Sequence, residues 1–174
     1  MATVAPRPQP FSAGEAARLD AAPSAGHDAF MDVTLALLAD AANVSADGKL
    51  NILGIFNALG AHTFPVIHPQ MALVLRFEAT RAEEGKGRQI ELQLADSDGQ
   101  KIFKISAQLV IPTGGPTGAP IRLNHILMLN NIQFPKAGDY MFSVLIGDDE
   151  KASIDLKLVE VRQPQVPPQP PSIH

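Results

Sequence analysis

The chain has 174 residues, 45% of them apolar, a net charge of −4 and neither cysteine nor tryptophan. A single domain with a real core is expected at this length, while thiolate metal sites, disulfides and cysteine nucleophiles are excluded. No basic cluster is present, which argues against a nucleic-acid binder, because such proteins use one to displace counterions from phosphate; a polybasic membrane patch is missing for the same reason.

Residues 1–28, MATVAPRPQPFSAGEAARLDAAPSAGHD, are rich in Ala, Pro, Ser and Gly. Little here can be buried, so ordering the segment would not repay its entropy, and it is predicted to be a disordered arm. Gly14 to Ala22 has the makings of a turn or two of helix with Ser12 as N-cap, but nothing obvious would hold it. The start lacks a charged stretch followed by an apolar run, so it is not a recognisable signal peptide. Met31 opens the patterned region and is a conceivable alternative start. The apolar runs are short, as at Met71–Leu75, against the roughly 20 residues a spanning helix requires. A cytoplasmic protein is expected.

Phe30 to Ala39 is read as a strand, with Val33, Leu35 and Leu37 in alternation. Asp47-Gly48 marks a turn before its antiparallel partner, Lys49 to Phe56. Gly54 inside that partner signals a bulge or a close backbone approach. Pro65 and Pro69 remove donors and are expected to stop a central ladder from continuing there. Gln70 to Thr80 is the cleanest strand, with Met71, Leu73, Leu75 and Phe77 inward. A polar loop, RAEEGKGR, follows. Gln89 to Ala95, the Asp96–Gly99 turn and Lys101 to Ile111 form a hairpin. Residues 113–120, TGGPTGAP, are a Gly/Pro crossover loop. Arg122 to Ile132 is a less strictly alternating strand, with Leu123, Leu127 and Leu129 inward.

After a corner at residues 133–138, two strands surround an acidic turn. Tyr140, Phe142, Val144 and Ile146 share one face of the first, and Ile154, Leu156 and Leu158 one face of the second. The tail, residues 162–174, is rich in proline. It favours an extended polyproline conformation and cannot join a sheet; its PxxP spacing suits a stiff spacer better than an aromatic-groove ligand. About eight strands without an amphipathic helix predict an all-β, two-sheet antiparallel sandwich over residues 30–161.

The corner FPKAGDYMFSV resembles the tyrosine corner of immunoglobulin-like sandwiches, with Gly138 and Tyr140 in the structural roles. A wider stretch, Met31 to Val161, is similar to a family of small bacterial proteins known only as a domain of unknown function. The similarity is carried by LLADAANVSADGKLNILGIF, a short gap, FP and an LVLRFE strand. It implies a single bacterial sandwich and supplies no functional residues.

Candidate sites are few. His62 and His68 flank Pro65 and, with a carboxylate, have ligand chemistry for a metal, yet no HxH or HxxxH pair shares a strand. His27 and His174 fall in the termini, and His125 lies in a strand. Asp96, Asp98, Asp148 and Asp149 sit in acidic turns of the kind that supply oxygen ligands to calcium, although tight hairpins select the same residues. Glu78, Glu91 and Asp155 are expected as solvated outward charges. The Thr113–Gly118 loop lacks the Gly-Lys-Ser/Thr ending and the following helix of a phosphate loop. No serine has nucleophile-elbow context. Tyr140 is the only tyrosine, so stacking of sugars or bases loses ground.

The expectation is therefore a non-catalytic structural or interaction module with no cofactor, contacting a protein partner or a second copy. Val110, Met141 and Leu145 are its expected apolar patch, if adjacent in space. The alternative is a sandwich that binds a small ligand or divalent ion at its loop ends.

Overall fold

Side chains that change face at every second residue give nine strands and one short 3-10 turn, Arg81–Glu83, among the described residues. These are residues 31–114 and 118–162 of a computed structural model. The predicted arm at 1–28, the predicted tail beyond Arg162 and the middle of the Gly/Pro loop lie outside them. The strands are β1 (Met31–Val44), β2 (Leu50–Phe56), β3 (Ala58–Ala61), β4 (Val66–Ala79), β5 (Gly87–Asp96), β6 (Lys101–Val110), β7 (Ile121–Phe134), β8 (Gly138–Ile146) and β9 (Asp149–Glu160). They form an immunoglobulin-like β-sandwich. One sheet has the order β2-β1-β4-β7 and the other β3-β9-β8-β5-β6. Among the described residues, no helix is long and apolar enough to cross a membrane.

The core lies between the sheets. Met71, Leu73, Leu75 and Phe77 of β4 meet Leu92 and Leu94 of β5, Phe142 and Val144 of β8 and Leu156 of β9, all buried. Burying each such side chain contributes about 1.5–3 kcal/mol, and together they oppose the entropy of ordering the strands.

Local chemistry explains several departures from simple alternation. β1 runs on through the segment read as a connection and turns only at Ser45–Lys49, where the Ser45 amide donates to the Lys49 carbonyl at 2.9 Å. Its register shifts between Val33 and Leu35. This bulge moves the core face from Val33 to Ala36 and Leu38, which pair with Leu75 and Leu73, and turns Leu35 and Leu37 outward. Gly54 is a close approach without a register shift: its φ is +66°, and a Cβ there would run into the Asp40 side chain.

Pro69 does not end the ladder, contrary to expectation. β1 pairs with β4 only as far as Ala39↔Ala72, so a missing N–H at Pro69 costs no bond to β1. On the other side β7 continues past it, with Asn131 opposite at φ +52°. Asparagine tolerates this left-handed conformation. The kink changes the faces of both strands: Phe134 becomes core, and Ile67 turns out to 60% exposure.

β3 adds a ninth strand where about eight were expected. It is four residues long and pairs in parallel with β9, Leu59 opposite Leu158. The edge strand thus leaves one sheet as β2 and, after Asn57, joins the other.

Candidate functional site

The β5–β6 turn and the β7–β8 corner are joined by a polar clasp. Asp96 ends β5 and is buried. Its Oδ1 accepts the backbone N–H of Asp98 at 3.0 Å and of Gln100 at 2.9 Å. Its Oδ2 lies 3.2 Å from Lys136 Nζ, which also pairs with Asp98. Burial pushes the Asp96 carboxyl up, but the Gln100 and Asp98 amides and Lys136 outweigh it and hold the group below the usual carboxylate range. Hydrogen bonds to Asp98 and Asp96 push the Lys136 ammonium up.

Tyr140 completes the corner. Its hydroxyl donates to the Lys136 carbonyl at 2.8 Å, and its ring meets Phe134 edge-on with centroids 5.0 Å apart. Gly138, two residues earlier, has φ +142°, a region that favours glycine. The Ser97 amide donates to the Asp139 carbonyl at 3.0 Å and fastens the same two loops through the backbone.

The other metal candidates are dispersed. Asp148 and Asp149 lie at the β8–β9 hairpin, beside the Ile90↔Ile146 end of the sheet, whereas Asp96 sits at the Tyr140 end. Six residues of β5 separate those ends, about 20 Å. The His62 ring shares a 2.8 Å hydrogen bond with the Val161 carbonyl. His68 leans on Phe56, with centroids 6.2 Å apart, and its Nε2 is buried without a hydrogen-bond partner. Among the described residues, no three His, Asp or Glu side chains are grouped to hold an ion.

Two carboxylates differ from the sequence reading. Glu91 is not a solvated charge: it is buried and lies 2.7 Å from Lys104 Nζ. Glu83, in what reads as a plain polar loop, has no exposed side-chain surface and is held by Lys86 at 3.1 Å and by Arg88. Burial raises its pKa, but hydrogen bonds and charge from Arg88 and Lys86 prevail and hold it low.

A different surface stands out. The outer face of the four-stranded sheet carries three successive cross-strand rows with no charged side chain. Leu53 and Ala41 make the first, which the hydrogen-bonded amides Gln70 and Asn130 continue on β4 and β7. Ile55, Ala39, Ala72 and Met128 make the second, and Leu37, Val74 and Ile126 the third. Leu53 is 71% exposed, Ile55 64% and Met128 42%. Ala39, Ala72 and Val74 lie between these flanks with no exposed surface.

The patch expected from Val110, Met141 and Leu145 does not form. Val110 is opposite Gly87 at one end of β6, with β5 between it and β8. Met141 and Leu145 are separated by Ser143 and flanked by Asp155 and Glu91. A signal for the actual patch was available. MALVL in β4 is apolar at both parities, which is the mark of a strand covered on both faces.

On the open side of the sandwich, Ile105 and Leu109 of β6 and His125 and Leu127 of β7 line an apolar cleft with Phe77 and Leu92. Burial pushes His125 below the usual histidine range, favouring the neutral ring.

No curated protein matches the chain. Among solved structures, similarity extends to an immunoglobulin-like protein from Pseudomonas aeruginosa, at 15% identity and a TM-score of 0.39, over 77% of this chain and all of that one. It extends also to the Pseudomonas fluorescens alkylpurine DNA glycosylase AlkC bound to DNA containing an abasic site analog, at 10% identity and a TM-score of 0.43, over 74% of this chain. This chain spans only 30% of the glycosylase's length. A family profile described as a family of unknown function, DUF6941, matches residues 34–159. With that match spanning most of the sequence, the chain belongs to the DUF6941 family of unknown function.

Proposed function

We propose that this protein is a non-catalytic interaction module of the cytoplasm that works through the outer face of its four-stranded sheet, against a protein partner or a second copy. One observation carries the reading: rows from Leu53 to Ile126 hold apolar side chains on the side facing away from the core. A sheet with one solvated face normally alternates apolar inside with polar outside. Leaving Leu53, Ile55 and Met128 of these rows wet forfeits the free energy of burial, and patches of this kind mark contact sites.

The polar clusters support the same reading, because each has a structural task. Asp96 and Lys136 fasten two loops, and Glu83 ties its turn to β5 through Arg88. An ion at the loop ends would have to displace Lys136 from Asp96 and Asp98. The test compares retention of lysate proteins on the immobilised full chain and on its Leu53→Glu variant. Face-dependent retention supports the module. Equal retention by both, in a chain that does not self-associate, rejects it.

A further inference from the structure

Ala39, Ala72 and Val74 lie outside the main core cluster, yet none of them has exposed surface. Outer residues of a sheet reach that state only when something lies over them. The cover comes from the chain itself: we infer that the tip of the β1–β2 hairpin is a flap, folded back over the outer face and closing the floor of the contact surface until it is lifted. This inference rests on the interaction-module reading and adds a gate to the same face.

Hydrogen bonding places the tip. β1 pairs with β4 only as far as Ala39↔Ala72, and the hairpin beyond that point pairs with no third strand among the described residues. A straight ladder would carry its turn onward from Ala39. Instead the Gly48 carbonyl in that turn accepts a hydrogen bond from Asn124 Nδ2 at 3.2 Å. Asn124 lies opposite Arg76, four residues of β4 back from Ala72, or about 13 Å. To reach it the hairpin doubles back over Val74 and Ile126. Asn124 stands on the outer face, because its Oδ1 accepts from Arg76 Nε at 2.9 Å and Arg76 alternates with the core residues Leu75 and Phe77. The same bond orients the amide so that its nitrogen donates to Gly48.

The side chains of the hairpin agree. Ala41, Asn43, Asn51 and Leu53 are exposed, whereas Ala42, Leu50 and Ile52 are half-buried outside the main core cluster. The latter three form the apolar underside of the flap. The bend falls at Asp40 and Gly54, where a φ of +66° is open to glycine at little cost. A two-stranded hairpin is marginal by itself. A small apolar contact and the Asn124–Gly48 bond attach it, the marks of a segment that opens before the domain unfolds. Leu53, Ile55 and Met128 stay exposed with the flap closed, so a partner meets them first and gains the floor when the flap lifts. The closed state weakens apparent affinity in proportion to the fraction of chains that are open.

The test uses the absence of cysteine. Val74→Cys and Val144→Cys each introduce one thiol at a position without exposed surface, the first under the flap and the second in the main core. Their reaction with Ellman's reagent is followed in the full chain from zero urea to below the midpoint, and urea midpoints give the global stability of each variant. The Val74→Cys thiol is expected to react at least about 100-fold faster than global unfolding allows, with a shallow urea dependence, because lifting a hairpin exposes little surface. Adding Asn124→Ala removes the latch and should speed that reaction about fivefold, the effect of one hydrogen bond. The Val144→Cys thiol should follow global unfolding with or without Asn124. A Val74→Cys thiol that also reacts only through global unfolding overturns the flap, as does one indifferent to Asn124→Ala. The two readings fail separately. Local labelling at Val74→Cys with retention of lysate proteins indifferent to Leu53→Glu keeps the flap and removes the contact it would gate. Full protection with Leu53-dependent retention removes the flap and keeps the contact face.

Discussion

On the outer face of the five-stranded sheet, Glu91 pairs with Lys104 and Ser143 lies opposite Ser153. On the outer face of the four-stranded sheet, the third apolar row holds Leu37, Val74 and Ile126. Both sheets present the same aliphatic and aromatic layer to the shared core, so folding alone does not require them to differ outside. The difference shows that alternation specifies only the inner half of a sheet. What the other parity carries determines whether water is an adequate neighbour.

The sharpest way to break this comparison is to put one charge on each face. Val74→Asp should lose about 3 kcal/mol of stability in urea, because it exchanges a fully buried valine for a desolvated carboxylate. Ser143→Asp on the other sheet should stay within about 0.5 kcal/mol. Equal losses would mean that the two faces are not distinct environments.

Gly54 lies between Leu53 and Ile55, the side chains that build the apolar ridge. Gly54→Ala should cost about 1–2 kcal/mol, from its left-handed φ and the conflict with Asp40. Adding Asp40→Ala should return most of the steric part, since only the Asp40 Cβ remains close, and leave the backbone part.

Tyr140→Phe should cost about 1 kcal/mol through loss of the bond to the Lys136 carbonyl. An unchanged urea midpoint would mean that the phenol does not hold the corner.

Acid provides a finer probe of the charged regions. Glu83, Glu91 and Asp96 are all held below their ordinary values in the fold. Their contribution is complete above the usual carboxylate range of about 4 and is lost as pH falls through the depressed folded values. Lys136 is shifted the other way. Its contribution is complete below about 10.4 and is lost as pH rises through its raised folded value. Urea midpoints from pH 2 to 5 should therefore fall less steeply for Asp96→Asn than for the wild type. Parallel slopes would detach Asp96 from the acid transition.

Inward residues such as Met71, Leu73, Leu75 and Phe77 were legible because period-2 patterning is local. The turn at Asp47-Gly48 was legible for the same reason, since two residues carry it. β3 was not, because ALGA has little pattern of its own and pairs with β9 almost a hundred residues later. Pro69 was misread because a proline's cost depends on whether a neighbouring strand needs its N–H. Asp96 was noticed as an acidic turn residue, but Lys136, its partner forty residues on, was not.

The apolar face lies at the limit of what a single strand can reveal. Leu37, Val74 and Ile126 each look like an unremarkable aliphatic in its own segment. Only sheet order makes them neighbours. The chain's own pattern determined that it would be a two-layer β-sandwich, because the hydrophobic preference of alternate side chains acts within each strand. Tertiary pairing decided which outward residues accumulate into a surface, because contacts between distant strands depend on order and register, and a linear pattern encodes neither directly.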